Sequence, residues 1–171
     1  IKKTEPLYDS AIKIFQRLGP SFVVKPLSRG SSVGVSGAHN FQELLDAIEN
    51  AFVFDDNVLV EEFIIGREAT CGVLENFRDQ KHYALPVIEI IPKDPYKLFN
   101  YQAKYDGSTQ EICPANFDLD TKREIEEVAV KAHQILGCRH YSRSDMIVSD
   151  RGIYLLEINT LPGLTSESLI P

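Results

Sequence analysis

The stretch YSRSDMIVSDRGIYLLEIN, residues 141–159, constrains this chain more than any other. Two runs of alternating apolar and polar residues flank Asp150-Arg151-Gly152, the composition of a three-residue hairpin loop with Gly152 in its left-handed position. Such a loop predicts that Ser149 pairs with Ile153, Ile147 with Leu155, Asp145 with Glu157 and Arg143 with Asn159. Side chains alternate with period two, so these residues share one face of the ribbon. The other face then carries Met146, Val148, Tyr154, Leu156 and Ile158, which suit a core.

The polar end of the first face collects Arg143, Asp145, Glu157 and Asn159. Two carboxylates directly opposite one another repel and destabilise a sheet. A hard divalent cation offsets this, because Mg²⁺ takes oxygen ligands, commonly one or two carboxylates together with substrate phosphates. Asn159 adds a neutral oxygen, and Arg143 adds a positive charge able to hold an anionic transition state. The competing reading is a solvated sheet face whose charge Arg143 spreads.

Other segments surround this hairpin. SFVVKP reads as a strand, and VGVSGA as a second after the small-residue loop LSRGSSVG. Glycine and serine let backbone N–H groups approach an anion, and Lys25 supplies charge beside them. The loop lacks the GK[ST] ending of a Walker A motif, and a plain surface turn is the alternative. NVLVEEFI is a strand ending in carboxylates, with Glu68 seven residues beyond Glu61. Such an edge can bind the amino group and hydroxyls of a nucleotide, or be an exposed acidic connector. REATCGVLEN and HYALPVIEIIP read as two further strands. The polar stretch Lys93 to Ala115, which contains Lys104 and Tyr105, reads as a long functional or mobile loop.

Helices are predicted from about Ser10 to Leu18, capped by Asp9 or Ser10 and stopped by Gly19-Pro20. NFQELLDAIENAF carries a capping box, Asn40 with Glu43, and an apolar face of Phe41, Leu44, Leu45 and Ile48. LDTKREIEEVAVKAHQILG carries another, Thr121 with Glu124, an apolar face of Ile125, Val128, Ala132 and Ile135, and a terminating Gly137. Hairpin-linked strands mixed with helices predict an α+β fold with mostly antiparallel sheets.

Composition removes some classes. A net charge of −7 opposes general nucleic-acid binding, which needs a basic surface to release counterions. No apolar run approaches the roughly 20 residues that span a bilayer, and no signal-peptide pattern is seen. Cys71, Cys113 and Cys138 are odd in number and widely spaced, which predicts buried, reduced thiols in a cytoplasmic protein. The four histidines, His39, His82, His133 and His140, show no ligand spacing, which predicts no zinc site.

VVKPLSRGSSVGV, VLVEEFIIGREATCGVL, LPVIEIIP, YQAKYDG, EICPA, GCRHYSRSDMIV and YLLEINTLPGLTSESLIP, in that order, resemble the D-alanine–D-alanine ligase family from Phe22 to Pro171. The resemblance implies an ATP-grasp fold, with residues 1–62 in the small central lobe, residues 63–171 in the large carboxy-terminal lobe, and ATP between them. It implies that Lys25 and Lys104 contact ATP, that Glu61, Glu62, Phe63 and Ile64 hold adenine, and that Glu68 holds ribose. Asp145, Glu157 and Asn159 would bind two Mg²⁺ or Mn²⁺ ions. Arg143 and Gly163 would stabilise the oxyanion, Ser31 and Tyr105 would close a loop over the site, and Ser168 and Leu169 would bind the carboxylate of the second D-alanine.

The implied activity is ATP-dependent joining of two D-alanines for peptidoglycan precursors and cell-wall biogenesis, in the cytoplasm, by an enzyme that dimerises through an amino-terminal part. That part is missing from this chain, which starts at Ile1 without methionine, so the expectation is a fragment inactive alone, with small-molecule partners and neither nucleic acid nor membrane. Two positions depart from the pattern. Arg29 stands where the family often has an acidic residue, and His140 where it usually has glycine. Alternatives are a ligase for another acceptor, D-lactate or D-serine, and a non-catalytic nucleotide-binding module.

Overall fold

Strand β4 (Arg67–Phe77) organises the larger part of the chain in a computed structural model that describes residues 1–30, 32–92 and 110–163. Its alternation is what the sequence pattern requires. Ala69, Cys71 and Val73 turn to a buried core, while Glu68, Thr70 and Gly72 face the opposite way. Gly66 precedes the strand. A Cβ there would lie 2.4 Å from the Val148 carbonyl oxygen, so glycine is what lets the two backbones approach.

The chain divides into two units. Residues 1–63 form a three-stranded antiparallel sheet ordered β2 (Ser36–Ala38), β1 (Phe22–Pro26), β3 (Val58–Glu62). Helices α1 (Leu7–Leu18) and α2 (Phe41–Ala51) cover it around Phe22, Val24, Leu44 and Ile48. The second unit holds residues 64–91 and those from 110 onward. Its sheet runs β7 (Gln110–Ile112), β6 (Ile88–Ile91), β4, β8 (Tyr141–Ser149), β9 (Gly152–Asn159), with β5 (Gln80–Ala84) also paired to β4. Helix α3 (Leu119–Ile135) packs Ile125 and Ala129 into its core. Every strand pair among the described residues is antiparallel, so the predicted α+β class holds.

The capping box at Asn40 forms. Asn40 Oδ1 accepts the Glu43 N–H at 2.9 Å, and Glu43 returns the contact to the Asn40 side chain at 2.5 Å and to the His39 N–H at 2.7 Å. The cap of α3 is Asp118 rather than Thr121. Its carboxylate accepts both the N–H and the hydroxyl of Thr121, a stronger charge-assisted version of the same device. Gly137 ends α3 with φ +63° in a Schellman motif, its N–H on Gln134 O and that of Cys138 on His133 O. Helix α1 starts earlier than predicted, at Leu7, with Pro6 as an extended N-cap residue and no side-chain cap.

Three other readings change. HYALPVIEIIP is two strands, broken at Leu85-Pro86-Val87, since proline interrupts a ladder. Gln110–Ile112, read as loop, adds a strand on β6. Ile135 is exposed, and the buried residues on its turn of α3 are Ala132 and His133. Of the thiols, Cys113 is exposed and only Cys71 is buried, where loss of hydration pushes it up to about 12.

The hairpin loop is one residue shorter than predicted. Ser149 pairs with Gly152, Val148 with Ile153, Ile147 with Tyr154 and Met146 with Leu155. Ile153, not Tyr154, therefore joins the core beside Val148. A β-bulge between Asp145 and Met146 then absorbs Leu156 on β9 and restores the expected register below it. Asp145 faces Glu157 and Arg143 faces Asn159.

Candidate functional site

The bulge decides which chemistry this hairpin presents. Without it, Asp145 would stand opposite Leu156 and its partner face would be apolar. With it, one face of the sheet carries Arg143 and Asp145 from β8 and Glu157 and Asn159 from β9. Strand β4 extends the same face: Thr70 pairs with Asp145, Glu68 with Ile147, and Gly72 with Arg143. Gly72, the cross-strand partner of Arg143, has no side chain to compete with it on this face. Farther out, Glu68 pairs with Ile90 and Ile90 with Glu111, so Glu111 lies on this face too.

Asp145 is the hub. Its Oδ1 accepts from Thr70 Oγ1 at 2.7 Å and from Arg143 Nε at 2.9 Å. Its Oδ2 accepts from Arg143 Nη2 at 2.9 Å and from Asn159 Nδ2 at 3.1 Å. Four donors thus occupy the roughly four lone-pair positions of one carboxylate. Asn159 Nδ2 also reaches Glu157 Oε1 at 3.3 Å, so its amide hydrogens sit between the two opposed acids. Arg143 and Asp145 side chains are 16% and 18% exposed. Burial pulls the guanidinium pKa down, but the hydrogen bonds and charge of Asp145, then Glu157 and Glu111, outweigh it and hold the pKa above its ordinary value.

The donor set fits a hard cation. Two carboxylates face each other, with an amide whose oxygen replaces its nitrogen when the side chain turns over. The positive ends of Arg143 and Asn159 now stand where opposed acids need positive charge. Thr70 was not legible as a site residue, because a threonine within an apolar strand carries no signal beyond β propensity. Glu111 escaped because its segment read as loop.

The first unit holds the other described candidates. Lys25 Nζ and Glu61 Oε2 are 2.5 Å apart, a diagonal pair across β1 and β3, where Lys25 aligns with Leu59 and Glu61 with Val23. Glu62 is exposed opposite Phe22. The Phe63 N–H bonds Ser21 O at 3.0 Å, and its ring meets His39 edge-on. The small-residue loop after Lys25 is anchored at its start, where the hydroxyl and N–H of Ser28 both donate to Asp55 and Arg29 Nε donates to Phe54 O. Gly34 adopts φ +74°, and a Cβ there would strike Phe54 and Pro26 at 2.8 Å. In the second unit Ile64 is half-buried and Gly163 exposed. Ser31, Lys104, Tyr105, Ser168 and Leu169 lie outside the described residues.

One ion pair without a sequence signal joins half-exposed Arg67 to buried Glu89. Arg67 contacts Glu89 at 2.6 and 2.8 Å, donates to Asn116 O at 2.7 Å, and stacks 4.0 Å above the Phe117 ring. Glu89 also accepts the Asn116 N–H at 3.2 Å. Both side chains lie on the core side of the sheet, and the pair ties β4 and β6 to the segment leading into α3.

Among the described residues, no helix is long and apolar enough to cross a membrane. Comparison with known proteins is consistent from end to end. A D-alanine--D-alanine ligase of Syntrophobacter fumaroxidans is 46% identical over 159 residues, covering 92% of this chain and 50% of that protein. One of Desulfotalea psychrophila is 46% identical over 162 residues, covering 93% and 49%. Among solved structures, the VanG D-Ala:D-Ser ligase of Enterococcus faecalis aligns with a TM-score of 0.81 at 37% identity, covering 95% of this chain and 47% of that one. The D-alanine--D-alanine ligase of Bacillus anthracis complexed with ATP aligns at 0.77 and 31%, covering 100% and 50%. The chain spans about half the length of the curated relatives it matches. The family described as D-ala D-ala ligase C-terminus matches residues 2–171, and the chain belongs to that family.

Proposed function

We propose that the protein containing this chain joins two D-alanines at the expense of ATP. The observation that carries this is the opposition of Asp145 and Glu157 on one sheet face, with Asn159 and Arg143 beside them. In the first step a carboxylate oxygen of one D-alanine attacks the γ-phosphorus of ATP, the bond to the β-phosphate oxygen breaks, and ADP leaves. In the second, the amine of the other D-alanine attacks the acylphosphate carbonyl carbon, phosphate departs, and the nitrogen loses a proton.

The residues mainly position reactants and neutralise charge. In the second unit, Asp145, Glu157 and Asn159 are assigned to two Mg²⁺ or Mn²⁺ ions, which would screen phosphate charge when bound. Arg143, with the Gly163 N–H, is assigned to the tetrahedral oxyanion, and Glu68 to the ribose. In the first unit, Lys25 is assigned to phosphate, and Glu61, Glu62 and Phe63 to adenine, with Ile64 following. Lys104 is assigned to ATP, Ser31 and Tyr105 to loop closure, and Ser168 and Leu169 to the acceptor carboxylate. The setting proposed is cytoplasmic peptidoglycan precursor synthesis by a homodimer.

A second acceptor is favoured by one finding, the similarity to a D-Ala:D-Ser ligase. ADP release by the intact protein with ATP, Mg²⁺ and D-alanine, with and without D-serine or D-lactate, tests the proposal. Release with D-alanine alone supports it. Release only with the second acceptor moves the specificity, and no release under any condition favours a non-catalytic module.

A further inference from the structure

Three residues far apart in sequence meet on the core side of the second unit's sheet. Glu75 and His82 are direct cross-strand partners on β4 and β5, so they share a face. His133 comes down onto them from the last turn of α3, its ring 5.5 Å from that of His82. Ligand atoms of all three lie within 4.8 Å of one another.

The protonation of His133 is constrained by its surroundings. Its side chain is 0% exposed, and Nδ1 lies 2.8 Å from the hydroxyl of Ser142, itself fully buried. The other ring nitrogen, Nε2, is buried with no hydrogen-bond partner, as is Nδ1 of His82. Glu75 Oε1 stands 3.9 Å from His133 Nε2, too long for a hydrogen bond. Glu75 Oε2 is committed elsewhere, to the His140 N–H at 2.7 Å. Burial pushes the His133 pKa down, although the Glu75 charge opposes this, so the neutral imidazole is favoured. Whichever ring nitrogen carries the proton, Nε2 has no hydrogen-bond partner within reach. Buried polar atoms are seldom left so.

We propose that Glu75, His82 and His133 form a transition-metal site selective for Zn²⁺, separate from the Asp145 face. Two imidazoles and one carboxylate are a known ligand set for Zn²⁺, with a fourth position open to water. Ligands at 2.0–2.1 Å in a tetrahedron stand about 3.3 Å apart, so the Glu75–His133 gap need close by only about 0.6 Å. With Nδ1 engaged by Ser142, Nε2 is the ring nitrogen left to bind metal, and the Ser142 contact orients the ring as an outer partner commonly does. Entry is open, because Glu75 is 15% exposed and His82 half-buried. Sequence spacing pointed away from zinc because the three ligands come from β4, β5 and α3. The site staples these elements together. It lies on the opposite face of β4 from Thr70, so the two sites do not share ligands.

Calorimetric titration of Zn²⁺ into the chelator-stripped intact protein, without nucleotide, tests this. The parent and Glu157→Gln should each bind one tight equivalent. His82→Ala and Glu75→Gln should weaken that binding at least tenfold, while their metal-free circular dichroism matches the parent. Co²⁺ should give the parent the visible absorption of a four-coordinate ion, lost in His82→Ala. The fully buried His133 is left intact, since its removal endangers the fold. Zn²⁺ binding unchanged in both His82→Ala and Glu75→Gln would overturn the proposal. So would binding lost only in Glu157→Gln, or none in the parent.

Discussion

Arg143 and Asp145, two residues apart on β8, are joined side by side through two hydrogen bonds of 2.9 Å. The same pair that neutralises the Asp145 carboxylate therefore also aims the guanidinium. Lysine keeps the charge but not the fork. Arg143→Lys in the intact protein should lower kcat for D-alanine-dependent ADP release about 10²-fold, the scale of a lost oxyanion donor, with a smaller change in KM for ATP. A change confined to KM would assign Arg143 to ground-state binding instead.

Glu157 faces Asp145, and the Asn159 amide, Arg143 and the Thr70 hydroxyl soften the repulsion. Glu157→Gln should therefore raise the metal-free stability of the protein, by up to about 1 kcal/mol on the scale of cross-strand pairs. Urea denaturation in the presence of a chelator measures this. A clear loss of stability would mean that the opposed acids are already balanced.

His140 adopts φ +65°, in the left-handed region that costs a non-glycine residue about 1–2 kcal/mol. Its backbone is held there by two contacts with Glu75, N–H to carboxylate at 2.7 Å and carbonyl to Glu75 N–H at 2.8 Å. The glycine that the family resemblance places here thus answers a backbone preference. His140→Gly should stabilise the protein by up to about 1 kcal/mol after glycine's own entropy cost, read as a higher denaturation midpoint at unchanged slope. A lower midpoint would show that the imidazole makes contacts worth more than the strain.

Asp55 receives the hydroxyl and N–H of Ser28 and the N–H of Asn57, with the Ser28 hydroxyl the largest influence, and its carboxyl is lowered to about 2 from an ordinary 3.8. A depressed folded pKa gives stability that is complete above about pH 3.8 and fades as pH falls towards 2. Ser28→Ala should move the Asp55 carboxyl titration, followed by NMR, upward towards 3.8. An unmoved titration would remove Ser28 as the anchor of the loop beyond Lys25.

Much of this was legible in sequence because local rules and packing agree. Asn40 with Glu43, and Gly137 after α3, are short-range devices that depend on spacing alone. The opposition of Asp145 and Glu157 was reached by two deviations that cancel, a loop one residue shorter than expected and a bulge that absorbs Leu156. A bulge has no signature of its own in such an alternating run, so the lower register was right and the upper one was not. Thr70, Glu111 and the Arg67–Glu89 pair were invisible for another reason. Each acquires its role only from strands 20 or more residues away in the chain, and no local pattern marks them.

The most direct test of the acidic face is Mn²⁺ binding, followed by electron paramagnetic resonance, to the intact protein and its Glu157→Gln variant with ATP present. Mn²⁺ binds oxygen ligands as Mg²⁺ does and is visible where Mg²⁺ is not. The account predicts saturable binding to the parent, weakened at least tenfold by Glu157→Gln. Superimposable binding curves would contradict it, and would return Asp145, Glu157 and Asn159 to a solvated sheet face balanced by Arg143.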